Sequence, residues 1–193
     1  QGADAVGTVV RVGESAEQSL IGQRVMIDGW LRDWDDPLNR SKAGYFGSEC
    51  DGGYAQYTKV SHRQVHPVKS ALLDAELATF ACSYVTAENM LNRGAVTAGD
   101  TVLVTGASGG VGSALIQLAN RRGAQCVGLC GADKADDVKA VGPLAVIDRN
   151  CSDLGSALRD AIGKESVDVV ADVVGGSLWP QLINALARGG RYT

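Results

Sequence analysis

Thr101-Val102-Leu103-Val104-Thr105-Gly106-Ala107-Ser108-Gly109-Gly110-Val111-Gly112-Ser113-Ala114-Leu115-Ile116-Gln117-Leu118 is the stretch on which the reading of the fold turns. Its first five residues form a short apolar run rich in β-branched side chains, the pattern of a buried strand. A glycine-rich turn follows with no spacer. Val111, Leu115 and Leu118 then repeat at helical spacing until Gly123 ends the run.

The alternation continues downstream. Residues 125–130 read as a strand, 145–147 as a short strand, 154–162 as a helix, 167–173 as a strand and 179–187 as a helix. Strands and helices alternating at this spacing predict the α/β class, a doubly wound parallel sheet with helices on both faces. Gly189-Gly190-Arg191-Tyr192-Thr193 stands where the next strand should begin, so we expect at least one more strand beyond it.

Upstream the pattern differs. Residues 1–68 are β-rich, with strands expected at 8–12, 24–27 and 54–60, each bounded by Gly or charged residues, as in a small barrel or rolled sheet. Between the last two lies a stretch, 28–53, with no sustained period. It holds Trp30, Trp34, Asp33, Asp35, Asp36, Pro37 and Asn39, and reads as a long loop, either functional or a surface excursion anchored by its two tryptophans. From Asp74 a helical stripe of Leu77, Phe80, Ala81, Tyr84 and Leu91 runs to a stop at Gly94. The domain junction is placed there, giving a β-rich domain over 1–92 and an α/β domain over 93–193.

Composition narrows the function classes. The 193 residues are 45% apolar, with 18 basic and 22 acidic side chains and a net charge of −4, enough for a buried core and without a basic block at either end. Nucleic acid and membrane surfaces are therefore excluded as expected partners. The five cysteines form an odd set with no C-x-x-C pair and no zinc-like Cys/His spacing. We read them as reduced thiols in a cytoplasmic protein. Cys126 and Cys130 share one strand about 13 Å apart, too far for a disulfide, and read as packing residues. The chain opens at Gln1 directly into a strand-like run, and we expect further sequence before it.

A strand running into a glycine turn and then a helix is the local arrangement that binds a dinucleotide. The glycines let the backbone approach the pyrophosphate, whose charge sits on free N–H groups at the helix N-terminus. Gly109 and Gly112 fit the second and third glycine positions, and the first is Ala107, with Ser108, Gly110 and Val111 filling the turn. The alternative is a tight glycine turn that only packs helix against strand. Cofactor choice is read at the end of the second strand, where an acid would bind the ribose 2′-hydroxyl of NAD and repel the 2′-phosphate of NADP. Here the tip is Cys130-Gly131-Ala132-Asp133-Lys134: Gly131 offers no acid and Lys134 suits a phosphate, so NADP is expected and NAD remains possible. Two readings oppose this. A strand end shifted by two residues would bring Asp133 to the ribose, and Lys134 on its own is equally an ordinary solvated lysine.

Six segments in order carry a resemblance: Gly2-Ala3-Asp4-Ala5-Val6-Gly7-Thr8-Val9-Val10, Gly22-Gln23-Arg24-Val25, Gly52-Gly53-Tyr54-Ala55-Gln56-Tyr57, Ala81-Cys82-Ser83-Tyr84-Val85-Thr86-Ala87, residues 107–112, and Asp168 through Gly176. Together they resemble the medium-chain dehydrogenase/reductase superfamily, which unites zinc alcohol dehydrogenases with zinc-less quinone and enoyl reductases. The resemblance implies a partial GroES-like domain before a partial Rossmann domain, with whole members longer at both ends. It also implies hydride transfer between NAD(P)H and a ketone, quinone or conjugated enone or enoyl substrate, by a protein that is a homodimer at full length. By resemblance Thr86 would lie beside the nicotinamide and Val174 and Gly175 along the cofactor.

In zinc-dependent members the segment matching Gly2-Ala3-Asp4 reads Gly-His-Glu, and the His binds the metal. Ala3 has no ligand atom, and Cys82, aligned with another ligand, cannot build a site alone. Cys82 is expected to be a packed thiol rather than a ligand, and no zinc is expected. The loop holds Cys50 where structural-zinc members have four cysteines, and His62 and His66 read as surface residues. No Ser/His/Asp set or carboxylate pair argues for hydrolysis. Tyr45 is the candidate proton donor, a guess from its place in the loop. The competing class is a non-catalytic NADP(H)-binding sensor or scaffold, and within the family a zinc-dependent alcohol dehydrogenase.

Overall fold

The computed structural model describes residues 1–36 and 43–193. Within it the chain folds into two units, Gln1–Cys82 and Ser83–Thr193.

In the first unit the strands are Val6–Thr8 (β1), Arg24–Ile27 (β2), Trp30–Arg32 (β3), Ala43–Tyr45 (β4) and Val65–Pro67 (β5). Strands β1, β2 and β5 form one antiparallel sheet with β2 in the middle, and β3 pairs with β4. Alternation in β2 turns Val25 and Ile27 inward, where they meet Phe46 and the flanking Ala5, Val9, Val60 and Val65.

Two expectations are corrected here. Residues 54–60 are not a strand: Tyr54 and Tyr57 are 85% and 75% exposed, Val60 alone of the stretch packs on the core, and β5 takes the third place in the sheet. The stretch 28–53 is not wholly irregular. Cross-strand neighbours Trp30↔Tyr45 and Leu31↔Gly44 align β3 with β4. The Arg32 guanidinium lies 4.5 Å from the Trp30 ring and 4.9 Å from that of Trp34, and the Arg63 guanidinium, from outside the segment, lies 5.7 Å from the Trp34 ring. Pro37 and Asn39 lie outside the described residues. His62 and His66 are exposed.

The helical stripe after Asp74 forms two helices, Asp74–Ala78 (α1) and Phe80–Arg93 (α2). Glu76 accepts the Leu73 N–H at 2.7 Å and starts α1, while the Thr79 hydroxyl bonds the Glu76 carbonyl at the break. Arg24 ties α1 to the sheet through Asp74, at 2.6 Å. The units divide inside α2. Its C-terminal part, with Ala87 and Leu91, packs in the second core, although the sequence reading counted that helix with the first domain. Ala95 rather than Gly94 takes the left-handed conformation after the helix, at φ 46°.

The second unit runs Thr101–Thr105 (β6), Gly110–Arg121 (α3), Gln125–Cys130 (β7), Ala135–Val141 (α4), Ala145–Asp148 (β8), Leu154–Ile162 (α5), Val167–Ala171 (β9), Trp179–Asn184 (α6) and Leu186–Tyr192 (β10). Its five strands are parallel in the order β10-β9-β6-β7-β8, the α/β arrangement expected. Every residue of β6 is buried, because both faces are covered. Val102 and Val104 pack with Leu91, Leu115 and Ala119, whereas Leu103 packs on the other side with Leu154, Leu158 and Leu182. Cys126 and Cys130 are buried in the first of these layers.

Three boundaries differ from expectation. α4 is an additional helix, and a single buried side chain, Val138, left it little apolar pattern to read. α6 stops at Asn184, and β10 begins inside the stretch read as helix. β9 ends at Ala171: Asp172 still donates its N–H to the Thr193 carbonyl at 2.9 Å, but the next three N–H groups go to the Thr105 hydroxyl and the Asp172 carboxylate instead of a neighbouring strand.

Candidate functional site

The strand order reverses at β6: β7 and β8 lie to one side, β9 and β10 to the other. In open parallel sheets such a reversal leaves a crevice at the carboxyl ends of the strands, where ligands bind. Three local structures meet at those ends in this unit.

The first is the turn from β6 into α3. Gly106 leaves the strand at φ 57°, and a Cβ on it would come within 2.9 Å of Val173 Cγ2 and 3.1 Å of Val174 Cγ2. The left-handed turn residue is therefore Gly106, which the sequence reading passed over for Ala107. Ala107 is fully buried, donates its N–H to the Leu129 carbonyl at 3.2 Å and turns its methyl toward Gly128. Ser108, Gly109 and Gly110 are exposed. Gly109 is the N-cap of α3 and supplies no side-chain cap, so the first N–H groups of the helix, from Gly110, Val111 and Gly112, have no intrahelical or capping partner.

The glycines of this turn do different work. A Cβ at Gly112 would lie 2.2 Å from the Gly106 carbonyl oxygen, a contact no side chain can make, so Gly112 lets α3 sit against the turn. At Gly109 a Cβ would meet only that same oxygen, at 3.3 Å, and φ is an ordinary −85°. Gly109 is exposed and carries no side chain beside the uncapped donors at the positive end of the helix, an arrangement that suits an anionic group.

The second structure is the tip of β7. Gly131 follows Cys130, and the space where its side chain would be is approached by Asp133 Oδ1 at 2.6 Å and by the Arg149 Nε and Cζ at 3.9 Å. Lys134 is exposed one residue beyond Asp133. Sequence spacing brought Asp133 and Lys134 to this tip. Arg149 arrives from the end of β8 and carried no local signal. Burial, and then the Asp148 and Asp133 carboxylates, push the Cys130 thiol above its ordinary range, with Arg149 opposing.

The third is the turn after β9. The Asp172 carboxylate accepts the Thr105 hydroxyl at 2.5 Å, the Val174 N–H at 2.9 Å, the Gly175 N–H at 3.0 and 3.1 Å, and the Tyr192 hydroxyl. Val173 and Val174 stand beside Gly106, with Gly175 next along the turn, while Thr105, Asp172 and Tyr192 are additional residues at these strand ends.

In the first unit, Asp4 Oδ1 accepts the Cys82 N–H at 2.7 Å, so this carboxylate caps the first turn of α2. Cys82 itself is exposed, which corrects the packed-thiol expectation: its side chain lies on the outer face of a helix whose buried residues are Ala87 and Leu91. Cys50 is exposed too. Tyr45 is 58% exposed and donates its backbone N–H to Glu49, whose carboxyl is held below its usual range chiefly by that bond. Thr86 is exposed on α2 in the second unit. Among the described residues no group of three His, Cys, Asp or Glu side chains could hold a metal ion, and no helix is long and apolar enough to cross a membrane.

Residues 1–70 match the family model of the alcohol dehydrogenase GroES-like domain, and residues 110–193 match that of the zinc-binding dehydrogenase. The chain belongs to the medium-chain dehydrogenase/reductase superfamily. Its antiparallel first unit is the GroES-like region, and its second unit is Rossmann-like. Acryloyl-coenzyme A reductase of Metallosphaera sedula is 31% identical over 98% of this chain and 58% of its own length. Prostaglandin reductase-3 of Bos taurus is 33% identical over 98% of this chain and 45% of its own. The chain therefore spans about half the length of these relatives. A crystal structure of a protein from Sinorhizobium meliloti 1021 superposes with a TM-score of 0.93 at 46% identity, covering 100% of this chain and 53% of that one.

Proposed function

We propose that the protein is an NADP(H)-dependent oxidoreductase of this superfamily, moving a hydride to or from a ketone, quinone or conjugated enone or enoyl substrate without catalytic zinc. The observation that carries the proposal is the turn at 106–112: uncapped helix donors beside the exposed, side-chain-free Gly109, set at the reversal point of a parallel sheet. Reductases of enoyl and related substrates among the similar proteins support the substrate class.

In this reading the backbone of Ser108, Gly109, Gly110, Val111 and Gly112 takes the diphosphate, with buried Ala107 shaping the turn beneath it. Val174 and Gly175 flank the nicotinamide half, and Thr86 lies beside the ring. Gly131 admits the adenosine ribose, and Lys134 and Arg149 offer cations to a 2′-phosphate across from Asp133. The reduced nicotinamide, when bound, supplies a hydride at C4. The chain's own part is to orient that carbon against an electron-poor carbon of the substrate, exclude water and present donors to the developing enolate or alkoxide. Tyr45 is the candidate proton donor. Ala3 lacks a ligand atom and Asp4 is engaged by the Cys82 N–H, which supports chemistry without a metal. In functional terms the substrate domain extends through residue 92 and the dinucleotide domain begins at 93. The intact protein is read as a cytoplasmic homodimer acting on a small molecule.

NADPH consumption by the intact protein, measured against a panel of enones, quinones, ketones and enoyl thioesters, is the test. Turnover on one of these classes is expected. Tight NADPH binding without turnover on any would make the protein a sensor or scaffold instead, and about one zinc per chain by metal analysis would overturn the metal-free reading.

A further inference from the structure

Val173, Val174 and Gly175 present three successive backbone N–H groups at the end of β9. Such a run ordinarily forms a concavity that attracts an anion. Here the chain closes it internally. The Thr105 hydroxyl accepts the Val173 N–H at 3.0 Å and passes its own proton's bond to Asp172 at 2.5 Å, while Asp172 takes the N–H groups of Val174 and Gly175. The Tyr192 hydroxyl, at the end of β10, completes the set. One carboxylate thus joins the ends of three adjacent strands, β10, β9 and β6.

We propose that Asp172 is a positioning residue for the cofactor crevice, acting through Thr105 and Tyr192 to hold the Val173–Gly175 turn against the Gly106 turn. The inference rests on the dinucleotide reading of that crevice.

Two features link the network to the crevice. Gly175 adopts φ 65° and ψ −150°, a conformation open to glycine alone, and its N–H is held by both Asp172 oxygens. The side chains this turn carries are not core residues. Val174 is 64% exposed, yet it and Val173 stand within 3.1 Å of where a Gly106 side chain would begin. Release of Asp172 therefore moves the wall beside the phosphate turn and leaves the packed layers around Val169 and Val170 in place.

The chemistry of the group fits positioning rather than proton transfer. Burial opposes the charge on Asp172, but the bonds from Thr105, Tyr192, Gly175 and Val174 outweigh it and hold the carboxyl below its usual range. Burial and the bond to Asp172 push Tyr192 up to about 12. At neutral pH the carboxylate is ionised and its oxygens are engaged by four residues, so it serves as an anchor.

The experiment is a set of variants of the intact protein, Asp172→Ala, Asp172→Asn and Tyr192→Phe, read by NADPH affinity in calorimetry and by melting temperature without cofactor. Asp172→Ala should weaken NADPH binding about tenfold or more, the scale of losing charge-assisted bonds at one site. Asp172→Asn should recover most of that loss, because a carbonyl oxygen in the Oδ1 position still accepts the Val174 and Gly175 N–H groups and the Thr105 hydroxyl, and the Tyr192 hydroxyl can rotate to accept from the amide nitrogen. Tyr192→Phe, which removes one donor and leaves the turn bonds, should weaken binding a few-fold with the fold intact. The proposal is overturned if folded Asp172→Ala or Tyr192→Phe binds NADPH like wild type, or if affinity falls only in step with melting temperature and Asp172→Asn restores neither. Failure of wild type to bind NADPH or NADH would instead remove the dinucleotide reading, and this inference with it.

Discussion

Two turns face each other across the reversal point of the parallel sheet, and they treat their backbone donors in opposite ways. The turn from β6 into α3 caps the helix with a glycine and leaves its first N–H groups without side-chain partners. The turn after β9 fills its N–H groups with its own Asp172 carboxylate and with the Thr105 hydroxyl at the end of β6. An anion site is thus made as much by satisfying donors on one side as by leaving them open on the other.

Filling the open turn tests the comparison most severely. Gly109→Val puts a branched side chain into the space over the helix donors without strained φ, and NADPH affinity should fall by about a hundredfold or more while far-ultraviolet dichroism stays near wild type. A folded variant that binds normally would mean the two turns do not differ in function. Next comes Gly112→Ala, which acts on the packing of that turn. Its Cβ would meet the Gly106 oxygen at 2.2 Å, and urea unfolding should show a loss of about 2 kcal/mol. Unchanged stability there, with binding lost, would show that the turn relaxes freely.

The tip of β7 sharpens the comparison by asking what lies beyond the diphosphate. Lys134→Ala and Arg149→Ala should each weaken NADPH about tenfold and leave NADH nearly unchanged, as expected for cations facing a 2′-phosphate. Equal losses for both cofactors would place these residues elsewhere, and preference for NADH in wild type would give Asp133 the ribose.

The smallest effect is reserved for acid, which empties the closed turn and not the open one. The folded carboxyl of Asp172 lies below its unfolded value of about 3.9, so its contribution to stability is fully present above that value and disappears as pH falls through the folded one. The gap in melting temperature between wild type and Asp172→Asn should therefore be constant near neutrality and narrow below about pH 4. A gap that does not change with pH would mean that the charge on Asp172 contributes nothing to holding the turn.

How far the sequence could be read depended on burial. β6, β7 and β9 lie between two layers of helices, so nearly every position is apolar and the strands stand out as continuous runs. α5 was legible for a different reason, since Asp153 caps it and Gly163 ends it at φ 73°. The first unit offered weaker signals. Its strands have three or four residues, and the exposed Tyr54 and Tyr57 lent β-forming side chains to a stretch that is not a strand. α4, with Val138 alone buried, had almost no apolar face to detect.

Local order along the chain was enough to establish the α/β class, the place of the glycine turn between β6 and α3, the family and the position of Gly131 and Lys134 at the tip of β7. Each of these rests on residues adjacent in sequence, where φ preferences, apolar period and turn chemistry act directly. The choice of Gly106 over Ala107 as the left-handed turn residue, the arrival of Arg149 at the β7 tip and the joining of Thr105, Asp172 and Tyr192 could not be read that way. Those residues are neighbours only because five parallel strands end at one edge, and hydrogen bonds between strand ends depend on the register of the sheet.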